Sequence, residues 1–301
     1  MKNVIAIIWD FDKTLIDGYM QAPIFKEYGI VEKDFWNEVN NMPKKYAEAG
    51  IRVNPDTAYL IQFTRLAKDG VFKGLNNAKL RSYGQMQSFY PGIPDFIKNT
   101  KEMFKDDNDC SEYNIKIEHY IVSTGFAEVI RGTELSGLVD GIWGCELLEG
   151  PDKNGTNVIS DASYVIDNTS KTKAIFEINK GVNKKPELNV NTKMTDDLRR
   201  VSFSNMIYIA DGPSDVPAFS LVKKNGGSTF AIYPAGNDKA FKQVEQLRKE
   251  GRIDMFAEAD YREGKTAYMW ITQKINEYAN RIKQLERNKM SVVSETPKHL
   301  V

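Results

Sequence analysis

The sequence predicts an α/β protein: an open, mostly parallel sheet flanked by helices, with a helical insertion near its start. Three observations lead to that fold class. Short unbroken apolar runs, Val4–Trp9 and Met206–Ala210 above all, read as strands covered on both faces. Such runs alternate with helical periodicity through most of the chain, the pattern of parallel strands joined by helical crossovers. From Tyr19 to Phe89 that alternation stops, and the pattern is helical and rich in aromatic residues.

The first strand spans residues 4–9. Residues 31–40 then read as a helix that stops before Pro43. A clearer helix opens at Asn54-Pro55-Asp56, where Asn54 can cap, Pro55 suits the first helical position and Asp56 complements the helix dipole. Tyr59, Phe63 and Leu66 follow at helical spacing, and Gly70 can close it. Residues 18–89 are expected to form one helical cap, with residues 1–17 and 90–287 as the α/β core. In that core, residues 94–105 read as a helix, 106–112 as a polar loop, 115–122 as a strand, and 127–136 as a helix closed by Gly137. Residues 139–147 and 158–166 are expected to pair around the turn signal Asp152-Lys153-Asn154-Gly155-Thr156. A helix over 170–179 precedes a polar surface loop, 181–204. Helices over 216–224 and 239–249 flank a strand at 228–233, residues 252–257 read as a last strand, and a long amphipathic helix runs over 264–287. Residues 288–301 read as a disordered tail.

The chain has 301 residues, enough for a sizeable buried core. Its 41 Lys and Arg balance its 41 Asp and Glu, so the basic excess of a nucleic-acid binder is missing and no such partner is expected. Two cysteines, Cys110 and Cys145, give no disulfide framework. Two histidines, His119 and His299, exclude a multi-histidine metal site and leave little for a Ser-His-Asp triad. Chemistry must therefore fall to carboxylates, lysines, hydroxyls and backbone amides. No run approaches the ~20 apolar residues of a membrane span. Val4–Trp9 is too short for a signal segment and ends in an acid, so a cytoplasmic protein without membrane partners is expected.

In open α/β sheets, ligands bind beyond the carboxyl ends of the strands. After the first strand comes Asp10-Phe11-Asp12-Lys13-Thr14; after residues 115–122 comes Ser123-Thr124-Gly125; after Met206–Ala210 comes Asp211-Gly212-Pro213-Ser214-Asp215; and Lys171 begins a helix between the last two. Four clustered carboxylates repel one another, so the set calls for a cation. All are hard oxygen donors with no His or Cys beside them, which makes Mg²⁺ the expected metal, leaning on a substrate phosphate. A Ser-Thr-Gly turn entering a helix offers a hydroxyl and backbone amides to a phosphoryl oxygen. Lys171 adds positive charge against the attacking carboxylate and the phosphate. Two acids two apart in an extended segment can face one side, so one can attack while the other handles protons.

At this point the sequence resembles the haloacid dehalogenase superfamily of aspartate-nucleophile phosphohydrolases. Four motifs stand in that family's order: Asp10-x-Asp12-x-Thr14, Ser123, Lys171, and Asp211-Gly-x-x-Asp215. The insertion directly after the first motif resembles the helical cap of the phosphoserine-phosphatase-like branch. The resemblance implies a Rossmann-like core carrying a Mg²⁺-dependent phosphomonoester hydrolase for a small phosphorylated metabolite. It implies that Asp10 attacks phosphorus and becomes an aspartyl phosphate, while Asp12 protonates the leaving oxygen and then takes a proton from water. Thr14 would hold the first loop beside the phosphate, and Ser123, Thr124 and the amide of Gly125 would grip the phosphoryl group. Lys171 would offset charge on Asp10 and the phosphate. Mg²⁺ would be bound by Asp10, the carbonyl oxygen of Asp12, and Asp211, with Asp215 supporting it through water or orienting Lys171.

Blander readings compete at several of these positions. Lys173 rivals Lys171, but Lys171 stands four before Ile175 and seven before Ile178, as the family pattern has it. His119 falls inside a strand and is expected to pack rather than react, and His299 falls in the tail. Neither cysteine has a cationic neighbour that marks it as reactive. The basic end of the last helix, Arg281, Lys283, Arg287 and then Lys289, reads as a solvated face. Tyr19 stands nine residues after Asp10, where phosphoserine phosphatases carry a glutamate for the substrate ammonium, and this counts against phosphoserine as the substrate. Tyr19, Phe25 and Arg81 are candidate cap contacts, with hinges expected at Asp17-Gly18 and Tyr90-Pro91-Gly92. Three other functions fit the same core: a haloacid dehalogenase, a phosphotransferase, or a catalytically silent phosphate-binding scaffold. The dehalogenase needs no metal, against which the acids Asp12 and Asp211 argue; a silent module has no need of both a nucleophile and a proton-handling acid.

Overall fold

Six consecutive apolar residues, Val4–Trp9, form strand β1, and all six are buried. A strand without a polar face needs cover on both sides and partners on both edges. The computed structural model supplies both; it describes residues 3–185 and 187–294, the last four by backbone alone. β1 is flanked in parallel by β2 (Lys116–Phe126) and by β5 (Met206–Ala210). The sheet is completed by β3 (Gly141–Pro151), β4 (Asn157–Tyr164), β6 (Ser228–Tyr233) and β7 (Met255–Glu258), in the order β4-β3-β2-β1-β5-β6-β7. Every neighbouring pair is parallel except β3 and β4, an antiparallel hairpin turning at the expected Asp152–Thr156 signal.

The helices follow in chain order: α1 (Ala22–Tyr28), α2 (Glu32–Ala47), α3 (Ala58–Lys68), α4 (Asn77–Ser82), α5 (Asp95–Lys101), α6 (Asn108–Glu112), α7 (Ala127–Arg131), α8 (Lys171–Lys180), α9 (Val216–Lys224), α10 (Asp238–Lys249) and α11 (Thr266–Ser294). Helices α5, α8, α9, α10 and α11 pack on the sheet. Helices α1 to α4 fill the stretch between Ile16 and Phe89, two residues joined by an isolated antiparallel bridge. Their core is aromatic: Phe63 lies 5.7 Å from Phe25, 5.0 Å from Phe35 and 5.0 Å from Phe72, ring to ring. It also lies 5.0 Å from Phe126 at the end of β2, so the inserted helices share a core with the sheet.

The insertion is fastened to the β3–β4 hairpin by main chain as well. Ile159 N–H donates to the Leu75 carbonyl at 2.8 Å, and the Asn77 side chain donates to the Leu147 carbonyl at 2.9 Å. The expected second hinge is equally tied down. Tyr90 N–H donates to Leu15 at 2.9 Å, and Pro91 accepts from Tyr261 N–H at 2.7 Å. Gly92 has φ +92°, and a Cβ there would fall 2.4 Å from the Tyr261 backbone, so glycine alone fits this approach.

Three expectations are corrected. Helix α2 runs through Pro43 to Ala47, because Phe35, Val39 and Met42 form a buried face that outweighs one lost helical hydrogen bond. Residues 108–112, expected as loop, form α6, capped by the Asp107 carboxylate accepting from Cys110 N–H at 2.9 Å. The long last helix continues past 287 to Ser294, where a tail was expected; Arg287 pairs with Asp109 and Lys289 with Glu286, both within 2.8 Å. The remaining tail residues, 295–301 with His299, lie outside the described residues. Among the described residues no helix is long and apolar enough to cross a membrane.

Candidate active site

β1 ends at Trp9 and its neighbour β5 ends at Ala210, in parallel register, so Asp10 and Asp211 leave the sheet side by side. Asp10 N–H still bonds the Ile209 carbonyl at 2.8 Å, which fixes the backbone of the carboxylate. Lys171, the first residue of α8, reaches into the space beyond these ends. Its ammonium lies 2.7 Å from Asp10 Oδ1 and 2.6 Å from Asp215 Oδ1. All three side chains are almost wholly buried. Carboxylate oxygens of Asp10, Asp211 and Asp215 lie within 4.8 Å of one another. Lys173 is half exposed and pairs with Glu177 at 3.7 Å, so Lys171 is the lysine in contact with Asp10.

Asp12 faces a different partner: its Oδ1 accepts from Met20 N–H at 2.9 Å. Its carboxylate is not one of the three gathered oxygens. Thr14 Oγ1 donates to Asp10 Oδ2 at 3.3 Å, and the Thr14 carbonyl accepts from the buried Tyr261 hydroxyl at 2.6 Å. Ser123, Thr124 and Gly125 form a bulge at the end of β2, where its register to β3 shifts between Val122 and Phe126, rather than a turn after the strand. The Gly125 amide donates to Ser123 Oγ at 3.0 Å, and Tyr59 of α3 donates to the Thr124 carbonyl at 2.6 Å.

The electrostatics follow from burial. Burial lifts the Asp12 carboxyl to about 8, with the Asp10 charge adding to the rise. Asp211 is raised by burial and then by Asp10. Asp10 is raised by burial, and the Lys171 ammonium offsets this only in part. For Lys171, burial works against the charge, but Asp10 and Asp215 outweigh it and hold the ammonium above its ordinary value.

Sequence reasoning missed what holds Asp215. Tyr208, on β5, donates to Asp215 Oδ1 at 2.5 Å, and Ser214 donates to Oδ2 at 2.8 Å. With Lys171, both oxygens of Asp215 are occupied by protein donors, so Asp215 serves the lysine more directly than it could serve a metal. The signal was present: a phenol inside an otherwise aliphatic buried strand must find a polar partner, and the carboxylate cluster lies at that strand's end. Met20 was also missed; its Sδ lies 3.1 Å from Phe126 N and fills the space beside Gly125.

His119 packs inside its strand, as expected. His119 accepts from Trp9 Nε1 at 3.0 Å, lies 3.0 Å from Thr100 Oγ1, and is pushed by burial to about 3. Cys110 and Cys145 are buried, and burial raises both thiols; Cys110, against expectation, has a cationic neighbour in Lys283, which offsets the rise only in part. Of the expected cap contacts, Arg81 instead pairs with Glu128 at 2.8 Å, and Phe25 is buried in the insertion's core.

No family model matches the chain. A Borreliella burgdorferi protein described only as uncharacterized is 36% identical over 288 residues, covering 91% of this chain and 97% of its own. The chain belongs to the same family as that protein. Among solved structures, a HAD family hydrolase from Salmonella enterica serovar Typhi aligns over 85% of this chain and 67% of its own, at 14% identity and a TM-score of 0.52. A phosphoserine phosphatase in apo form aligns over 86% of this chain and 96% of its own, at 17% identity and a TM-score of 0.52. The fold is that of the haloacid dehalogenase superfamily. In that fold, the carboxyl ends of β1, β2 and β5 and the start of α8 are where this chain places Asp10, Ser123, Asp211 and Lys171.

Proposed function

We propose that the protein is a Mg²⁺-dependent phosphomonoester hydrolase that works through an aspartyl phosphate on Asp10. The observation that carries this reading is the lysine bridge: a buried ammonium 2.7 Å from one carboxylate and 2.6 Å from a second. The bridge fixes Asp10 and keeps its charge available for attack, while Asp211 stands beside it.

The donor set fits Mg²⁺. It is made of hard oxygens only, and two carboxyls in it, Asp10 and Asp211, are raised because burial leaves their charges without enough compensation. Asp10, Asp211 and the carbonyl of Asp12 would hold the ion, and Asp215 would stay with Lys171. When bound, the ion supplies positive charge to the phosphoryl oxygens. Asp10 attacks phosphorus in line, and the bond from phosphorus to the ester oxygen breaks. Asp12, held near 8, carries a proton at neutral pH and gives it to that oxygen. It then accepts a proton from the water that attacks the aspartyl phosphate. Ser123 Oγ and the amides of the β2 bulge would turn from each other to the phosphoryl group. The helical insertion, closed on this site through Tyr59 and Thr124, limits the substrate to a small ester and excludes water before the alcohol leaves.

The test is phosphate release from p-nitrophenyl phosphate with Mg²⁺, with EDTA, and in an Asp10→Asn variant. Turnover is expected only in the first. Equal turnover in the second or third would refute the reading. Chloride release from a 2-haloacid would point to the dehalogenase, and phosphate appearing on an added alcohol to the transferase.

A further inference from the structure

Lys13 stands inside the first motif, between Asp12 and Thr14, and has no role in the reaction above. Its backbone is left-handed at φ +57°, an unusual conformation for a residue with a side chain. Its ammonium donates to the Tyr19 hydroxyl at 2.6 Å and sits 3.9 Å from the centre of that ring. Among the described residues no carboxylate forms an ion pair with it. Tyr19 is 42% exposed and lies at the rim of the site, with Trp36 of α2 6.0 Å beyond it.

Position ties this pair to the leaving group. Lys13 is three residues from Asp10, so their Cα atoms are at most about 11 Å apart. The alcohol of a phosphomonoester must leave on the side opposite the attacking Asp10, beside the acid that protonates it. That acid is Asp12, whose carboxylate is held by the amide of Met20, the residue after Tyr19. Lys13 and Tyr19 are therefore the chain neighbours of both ends of that contact. Two acidic side chains of the insertion are engaged elsewhere: Glu27 with Lys79 at 2.6 Å, and Glu32 with Trp36 Nε1 at 3.2 Å.

We propose that Lys13, presented on Tyr19, is a substrate-binding residue that selects phosphomonoesters whose alcohol portion carries a second anion, a carboxylate. This rests on the phosphatase reading. A hydroxyl and a ring face hold the ammonium in place without neutralising it, and an anion adds the attraction of opposite charges that neither of them supplies.

The experiment compares kcat/KM in Mg²⁺ for two matched pairs: 2-phosphoglycolate against ethyl phosphate, and 3-phosphoglycerate against glycerol 1-phosphate. It is run on the wild type, Lys13→Met and Lys13→Arg. The anionic member of at least one pair is expected to be preferred roughly 10- to 100-fold by the wild type, from the strength of a hydrogen bond to a charged group. That ratio, in which intrinsic ester reactivity cancels between enzymes, is expected to collapse in Lys13→Met and to return in Lys13→Arg. A wild type without preference for either anion overturns the proposal, and so does a Lys13→Met variant that slows both members of a pair equally. Absence of hydrolysis of all four esters and of p-nitrophenyl phosphate overturns the phosphatase reading, and this proposal with it.

Discussion

Asp10, Asp12 and Asp211 each hold a proton more tightly in the folded chain than in the unfolded one, where a carboxyl titrates near 4. The sign of the consequence is fixed by linkage. Between pH 4 and about 8, the value to which Asp12 is raised, the folded state binds more protons, so stability of the metal-free protein falls as pH rises. A bound cation favours the ionised carboxylates and offsets that loss. The melting temperature without metal is thus expected to drop from pH 6 to pH 8, and the increment on adding Mg²⁺ to grow over the same range. An increment independent of pH would contradict this. Lys171→Met removes the only cation that, among the described residues, is bonded to both Asp10 and Asp215, and chemical unfolding is expected to show a loss of about 3–5 kcal/mol, the cost of breaking a buried ion pair. Asp10 and Asp211 were legible as residues because charged side chains directly after buried strands have few purposes, and Lys171 by its place at a helix start, four before Ile175 and seven before Ile178. Lys13 was not: one lysine in a motif gives no sign of its partner until Tyr19 is seen under it.

Strands and helices place these groups, and their legibility follows the clarity of their burial pattern. β1 and β5 have no polar residue except Tyr208, and their ends were read to the residue. Tyr208 itself is the exception that matters, since β5 delivers its hydroxyl to Asp215 from below while the strand's end delivers Asp211. Tyr208→Phe is expected to lower kcat about tenfold with KM little changed, by loosening the Asp215–Lys171 pair at a cost of about 1.4 kcal/mol. Mg²⁺ affinity, measured by calorimetry, should stay the same, whereas a general loss of packing would move it along with KM. The stop before Pro43 was misread because a breaker was weighed without the buried face formed by Phe35, Val39 and Met42. The bond of Leu75 to Ile159 was invisible because main-chain pairing between the connection of α3 to α4 and a distant hairpin leaves no mark on either sequence.

At the scale of the whole molecule, sheet, hairpin and inserted helices form one continuous core. Phe63 joins the insertion to Phe126 of β2, and Phe63→Ala is expected to destabilise the chain by about 3–5 kcal/mol, read as a shift in the urea midpoint. Loss of that core should disturb the site too, because Tyr59 on the same helix bonds Thr124. The sequence's alternation of elements revealed the sheet and the insertion but not how tightly they join, since ring-to-ring packing depends on three-dimensional approach. What the assembled molecule is proposed to do is carry phosphorus on one carboxylate for part of each turnover. The most direct measurement is to quench the protein with acid during steady hydrolysis of a phosphomonoester in Mg²⁺ and locate the phosphoryl group by peptide mass spectrometry. The account predicts it on Asp10 and nowhere in the Asp10→Asn variant. An active enzyme that carries it on another residue would contradict the account.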